Sequence, residues 1–302
     1  MIELAHYPCF HRAKNTELMN GGKVRKDFHV KPSGQACGAQ VTGLDLSKPL
    51  PEETLKALRE TWLEHHVLAF PDQHLNHDQL EAFSRQFGGL AEDPFFNPLP
   101  GRKFIAAVRR EAEDTNPIFA EHWHSDWSFM PEPPAATVLY SVDIPPEGGD
   151  THFSNQHLSF KSMPEDMRAK FENLRVIHSP EMGYSLEGAY GDVTKNGAMD
   201  IKPSADAANM KHTQPLVHEH PETGEKGLLS GISYWWSFEG IEREDAIPLF
   251  LELNKWQTKE EFMYVHKWEK NMLVIWDNRS LVHKATGGYE GHRRELHRVT
   301  VY

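Results

Sequence analysis

Only two cysteines, Cys9 and Cys37, occur among the 302 residues, so at most one disulfide can form and no disulfide framework holds the fold. Such scarcity fits a reducing compartment, and a cytoplasmic location is the expectation. Long apolar runs are missing as well, so no helical membrane span is expected. Residues 1–14 lack the apolar stretch of a signal peptide and the character of a transit peptide. Basic charge is also short. The 32 Lys and Arg stand against 44 Asp and Glu, a formal net charge of −12, which argues against a nucleic-acid surface. Internal repeats and low-complexity tracts are absent, and the expected partner is a small molecule.

What is present is an ordinary globular balance, 25% charged and 39% hydrophobic. The length alone suits one elaborate domain or two small ones equally. The chain reads as a polar N-terminal extension over 1–27 and a single domain over 28–302. Pro51 and two glutamates start a helix carrying Leu55, Leu58 and Trp62 on one face. Asn76 is the N-cap of a second helix, with Leu80, Phe83 and Phe87 inward and Gly88-Gly89 as its stop. Short strands dominate from about residue 103, among them 123–129, 137–142, 151–153, 272–276 and 297–301. A helix is expected over 247–256, with Pro248 in its first turn. Many short strands without regular strand–helix alternation predict a mainly β fold with flanking helices, a jelly roll enclosing a pocket between its sheets. The stretch 181–211, rich in Gly, Asp, Ala and Asn and without a period, is expected to be a lid, with a binding element or disorder as alternatives.

Nineteen histidines make any single one weak evidence, so spacing has to promote it. Residues i and i+2 of a strand point the same way. His124 and Asp126 should therefore project together, with Ser125 turned outward. His283, at the end of Trp276-Asp277-Asn278-Arg279-Ser280-Leu281-Val282-His283, supplies a third ligand from a distant segment. Two histidines and a carboxylate on one face leave metal positions open, which is the ligand set of non-haem Fe(II) oxygenases. His122 shares the alternation and competes as a ligand, although a carboxylate oxygen suits Fe(II) better. Three ligands plus water would also suit hydrolytic zinc. His218 and His220 precede a turn at Pro221-Glu222-Thr223-Gly224 and read as structural. Arginine grips a carboxylate through two parallel charge-assisted bonds. Arg294 and Arg298 could therefore anchor a dicarboxylate beside the metal, which zinc hydrolysis would explain less directly. Thr151, after Gly148-Gly149-Asp150, offers a hydroxyl to a carboxylate oxygen.

From about residue 36 to the end the chain resembles the taurine / 2,4-dichlorophenoxyacetate dioxygenase family of Fe(II)- and 2-oxoglutarate-dependent enzymes. The resemblance is carried by Gly38-Ala39-Gln40-Val41-Thr42-Gly43, by Trp123-His124-Ser125-Asp126-Trp127-Ser128-Phe129 and by Gly148-Gly149-Asp150-Thr151. It continues in His220-Pro221-Glu222-Thr223-Gly224, Trp276-Asp277-Asn278-Arg279 and Arg293-Arg294-Glu295-Leu296-His297-Arg298-Val299-Thr300. It implies a double-stranded β-helix with His124, Asp126 and His283 as iron ligands. Arg294 would pair with the distal carboxylate of 2-oxoglutarate, assisted by Thr151, and Arg298 would meet the acidic group of the prime substrate. The implied reaction uses O2, converts 2-oxoglutarate to succinate and CO2, and hydroxylates a C–H bond. Asp126 fills the position a halide would need, so halogenation is not expected. A homo-oligomer, dimer or tetramer, is implied too.

The taurine pattern fails at the substrate. After the Phe-Gly-x-Leu turn, here Phe87-Gly88-Gly89-Leu90, those enzymes bring a histidine and a tyrosine, where this chain has Asp93 and Phe96. Ala120 replaces an asparagine four residues before His124. The expected substrate is a small organic anion (aryloxy acid, sulfonate, sulfate or amino-acid-like) rather than taurine. Its acidic end would face Arg298 and its body Phe96, Phe129, Tyr234 and Trp127. Asp93 would either meet a cationic group or be solvated. The rivals are a jelly roll that binds a metal and a small acid without catalysis, and a zinc hydrolase on the same ligands.

Overall fold

Alternate residues of the central strands face opposite ways and divide the interior into two cores. In Leu273–Asp277, Leu273 and Ile275 pack with Trp62, Phe83 and Val138, while Val274 and Trp276 pack with Leu139, Phe153 and Leu281. Val67–Phe70 divides the same way, Leu68 and Phe70 joining the first core and Val67 and Ala69 the second. The first core lies beneath two helices, Glu52–His65 and His77–Arg85. The second helix starts where expected: Asn76 Oδ1 accepts from the Gln79 amide and Gln79 Oε1 from the Asn76 amide, each at 2.9 Å.

These relations come from a computed structural model, which describes residues 27–302 and the backbone of Lys23–Arg25. The extension expected over 1–27 lies almost wholly outside the described residues. The main sheet runs Lys23–Arg25, Phe28–Pro32, Ala39–Thr42, Val67–Phe70, Leu273–Asp277, Ala136–Asp143, Arg294–Val301 and Leu90–Ala91, with Ala106–Arg110 also on Arg294–Val301. Ala39–Thr42 and Val67–Phe70 run parallel, and the other pairs in this sheet are antiparallel. Across the second core stands an antiparallel sheet of Met263–His266, Thr151–Asn155 and Leu281–Ala285. Two sheets face one core, with helices on the outer side of the larger one, as a jelly roll requires. No helix among the described residues is long and apolar enough to cross a membrane.

Several boundaries differ from the expectation. The C-terminal strand starts at Arg294 rather than 297, which places Arg294, Leu296, Arg298 and Thr300 on one face by alternation. The helix expected over 247–256 runs Arg243–Gln257, so Pro248 lies in its second turn. Glu244 and Asp245 in the first turn suit the positive end of the helix and mark the true start. Residues 123–129 form no strand: His124 makes a single bridge, and 126–129 turn, with Trp127 at φ +47. The apolar residues that suggested a strand there are aromatic anchors of that turn, Trp127 and Phe129, both buried.

Candidate active site

His124 and His283 meet through their backbones before their side chains. The His124 amide donates to the His283 carbonyl at 3.1 Å and the His283 amide to the His124 carbonyl at 2.8 Å. Ser125 points away from the site, as expected, but into the neighbouring strand rather than to solvent, its Oγ donating to Leu281 O at 2.6 Å. The turn after it leaves Asp126 beside both imidazoles. His124 Nε2 lies 3.7 Å from Asp126 Oδ1 and His283 Nε2 lies 3.8 Å from Asp126 Oδ2. Among the described residues this is the one group of three ligand-type side chains within 4.8 Å of one another, and all three are buried. Cis ligands about 2.0–2.2 Å from a metal stand about 3 Å apart, so a contraction of about 1 Å along the His–Asp edges seats one.

The protonation states suit that role. His124 Nδ1 donates to His122 O at 2.8 Å, which leaves the Nε2 lone pair free. The competitor His122 is itself exposed and contributes its carbonyl. Burial, helped by His124, holds His283 down at about 3, so it is neutral. Burial opposes ionisation of Asp126, but Arg298, the two histidines and the Thr137 hydroxyl outweigh it and hold the carboxyl at about 2. Behind Asp126 runs a chain that the sequence reading did not assign. Thr137 Oγ1 donates to Asp126 Oδ2 at 2.6 Å, Asn278 Nδ2 donates to Thr137 Oγ1 at 3.0 Å, and Trp276 Nε1 donates to Asn278 Oδ1 at 3.0 Å. The Trp-Asp-Asn-Arg run was the available signal for it.

Arg294 and Arg298 share a strand face about 13 Å apart. Arg294 is buried; its Nη2 donates to Gly149 O at 3.0 Å and its Nε has no partner. Gly149 has φ +68, and a Cβ there would stand 2.9 Å from Arg294 Nε, so the Gly-Gly turn is what admits the arginine. Two residues on, Thr151 Oγ1 accepts from Trp268 Nε1 at 3.0 Å. Arg298 lies over the Trp127 ring at 4.9 Å, its Nη2 3.1 Å from Asp126 Oδ1 and its Nε 3.7 Å from Asp93 Oδ2. Asp93 is not solvated. Its Oδ1 accepts from the Phe95 and Phe96 amides, and burial pushes its carboxyl up to about 6 against the pull of Arg298.

Phe96, Phe129 and Tyr234 belong to one buried aromatic cluster centred on Trp127. Tyr234 presents its ring edgewise to His124 at 6.0 Å and to Phe129 at 5.1 Å. The cluster also includes Phe95 and Tyr184, stacked at 4.4 Å, which the sequence reading missed. Tyr184 comes from the stretch 181–211, which is not structureless: it contains the helix Glu181–Tyr184 and two 3-10 turns, Val193–Lys195 and Ala205–Asn209. Beside Asp93, Phe96 and Arg298 only a cleft of about 10 Å³ is open, and the cavity of about 890 Å³ bordered by Trp123, His152 and Lys284 touches none of the expected site residues. His220 is structural, as expected. It bonds Asp277 at 2.9 Å, and Arg279 grips both oxygens of that carboxylate at 2.8 Å.

Residues 29–300 match the model of the taurine catabolism dioxygenase TauD, TfdA family. The chain belongs to the TauD/TfdA dioxygenase family. It is similar to an alkylsulfatase of Acinetobacter baylyi, 31% identical over 87% of this chain and 81% of that protein. An (S)-phenoxypropionate/alpha-ketoglutarate dioxygenase of Sphingobium herbicidovorans is 31% identical over 86% and 89%. Among solved structures, AAD-2 in complex with Mn(II) and N-oxalylglycine superimposes with a TM-score of 0.72 at 27% identity, covering 91% of this chain and 96% of that one. A taurine dioxygenase from Burkholderia xenovorans gives 0.73 at 29%, covering 91% and 89%. This member of the family is an Fe(II)- and 2-oxoglutarate-dependent dioxygenase, and neither the non-catalytic binding protein nor the zinc hydrolase stands against that. The residues fit the groups the family uses: a buried His-Asp-His face for a divalent metal, and buried arginines with unpaired N–H groups for carboxylates.

Proposed function

We propose that this dioxygenase hydroxylates a small organic acid, with His124, Asp126 and His283 holding Fe(II), Arg294 and Thr151 taking 2-oxoglutarate, and Arg298 anchoring the acidic end of the substrate. The observation that carries the reading is the convergence of two imidazoles and a carboxylate in a buried site, with Arg298 against that carboxylate and a second buried arginine, Arg294, on the same strand face. When bound, Fe(II) and 2-oxoglutarate supply the O2-dependent oxidation, with succinate and CO2 as products. The chain binds, orients and excludes water. Thr137 and Arg298 fix the Asp126 carboxylate, and His122 O sets the tautomer of His124. Phe96, Phe129 and Tyr234 wall the substrate body. Relatives named for alkyl sulfates, sulfate esters and aryloxy acids define the range to screen.

The stretch 181–211 acts as a lid in this proposal. Its Tyr184, Met199 and Ile201 are packed into the aromatic cluster, and Lys202 N donates to Phe95 O at 2.9 Å, so a substrate must displace it to enter. A cytoplasmic homo-oligomer, dimer or tetramer, completes the reading; Ile247 and Leu251 are exposed on the helix Arg243–Gln257. Adding 2-oxoglutarate anaerobically to the Fe(II) protein should produce a weak visible band that neither component gives alone. Aerobic succinate release should then rise with substrates from the screen. An iron-loaded protein that shows no band rejects the reading.

A further inference from the structure

Asp93 stands out because half of its carboxylate is unused. Oδ1 is committed to the Phe95 and Phe96 amides at 3.0 and 3.1 Å, whereas Oδ2 is buried without a hydrogen-bond partner. The side chain is 9% exposed, and Oδ2 lies 3.7 Å from Arg298 Nε, beyond hydrogen-bond reach. Arg298 matches it: Nε and Nη2 are both buried without a hydrogen bond of good geometry, although two carboxylates flank the guanidinium. An unsatisfied donor pair therefore sits beside an unsatisfied acceptor, at one edge of the aromatic cluster and next to a metal ligand. A head group that accepts from Arg298 and donates to Asp93 would satisfy both, once displacement of 181–211 widens the cleft of about 10 Å³ beside them.

Charge points the same way. Asp93 and Asp126 balance Arg294 and Arg298, and a divalent metal balances the 2-oxoglutarate dianion, so the loaded site is neutral before the substrate arrives. Without Asp93 it would carry one positive charge and welcome a monoanion. With Asp93, a simple monoanion leaves one buried negative charge uncompensated, which is costly in a desolvated site. A zwitterion adds no net charge.

We propose that Asp93 determines specificity by selecting a zwitterionic, α-amino-acid-like head group, its acidic part on Arg298 and its ammonium on Asp93 Oδ2. The proposal rests on the reading of Arg298 as the substrate anchor and names the class within it. The test is calorimetric binding to the full-length protein loaded with Mn(II) and 2-oxoglutarate. The probes are matched pairs: 2-amino-3-phenylpropanoate against 3-phenylpropanoate, and 2-aminohexanoate against hexanoate, with both enantiomers of each amino acid. Binding of 2-oxoglutarate to the Mn(II) protein is measured first, so that failure of the site itself is separated from failure of the head-group assignment. In at least one pair an amino acid should bind tenfold or more tighter than its deaminated partner. Asp93→Asn, which keeps the acceptor for the two amides, should narrow or reverse that ratio. Equal or tighter binding of the plain acids by the unaltered protein overturns the proposal, and so does binding of 2-oxoglutarate with none of the four probe types.

Discussion

His124 and His283 exchange both of their backbone hydrogen bonds, at 3.1 and 2.8 Å, so two ligands 159 positions apart in sequence are paired by main chain alone. That pairing does not depend on the side chains, so replacing the imidazole should leave it intact. His124→Ala is expected to lose Mn(II) binding while keeping a cooperative unfolding transition. Asp126→Ala should lose binding and also about 3 kcal/mol or more of stability, because it strips Arg298 of its nearest carboxylate in a buried site. Calorimetric metal titration and urea denaturation of both variants separate the two effects. Equal stability for the two would detach Arg298 from Asp126.

Thr137 touches the proposed metal site only through Asp126, so its expected role is to position that carboxylate. Thr137→Val removes the 2.6 Å donor to Oδ2 and leaves Asn278 Nδ2 without its acceptor. A metal affinity about 10–100-fold weaker is expected, as for other supports of metal ligands, with about 1–3 kcal/mol of stability lost. Thr137→Ser should restore most of both. Mn(II) affinity unmoved by Val would confine Thr137 to packing.

Arg294→Ala should weaken 2-oxoglutarate binding to the Mn(II) protein by on the order of 100-fold, since a buried charge-assisted pair is worth several times a neutral hydrogen bond. Arg294→Lys should recover only part of that loss, because an ammonium cannot present two parallel donors. Direct titration of 2-oxoglutarate is the measurement, and an affinity that Ala leaves unchanged would move the co-substrate elsewhere.

The fold class and the meeting of the candidate ligands were legible in the sequence, and several element boundaries were not, for reasons tied to particular residues. His124 and Asp126 could be paired by an i, i+2 argument even though 126–129 turn instead of continuing a strand, and the two side chains still lie 3.7 Å apart. Arg294 and Arg298 were harder to place together. The charged run Arg293-Arg294-Glu295 resembles a solvated turn, yet in the strand Arg294–Val301 Arg294 and Glu295 are buried. Thr137 and Tyr184 left no trace as functional positions, because a strand threonine and a loop tyrosine acquire roles only from distant partners such as Asp126 and Phe95. The path of 181–211 was equally hidden. Its order comes from contacts such as the Phe96–Ile201 bridge, and no local period announces those.

Acid should unfold this protein through its histidines before its carboxylates. Burial holds His66 and His218 at about 4 and His178 and His266 at about 3. In the unfolded chain each takes a proton near about 6.5. Between those values the unfolded state binds more protons than the folded one, so stability rises with pH and is lost on acidification. Each histidine contributes a slope of up to about 1.4 kcal/mol per pH unit across its window. Asp93, raised to about 6, works the other way between about pH 4 and 6, since there the folded state keeps a proton that the unfolded state has released, and it cancels about one histidine. At least three histidines' worth of slope remains between pH 6 and 4.5, since His283, held at about 3, adds to these four; that is several kcal/mol against a typical total of about 5–15. Urea midpoints measured from pH 7.5 to 4.5 should therefore be nearly flat above about pH 6.5 and fall steeply below about 6. Replacing His266 by Gln should flatten the fall by about one histidine's share, and Asp93→Asn should steepen it. A midpoint that stays level down to pH 4.5 would mean that these histidines take up protons without unfolding the chain.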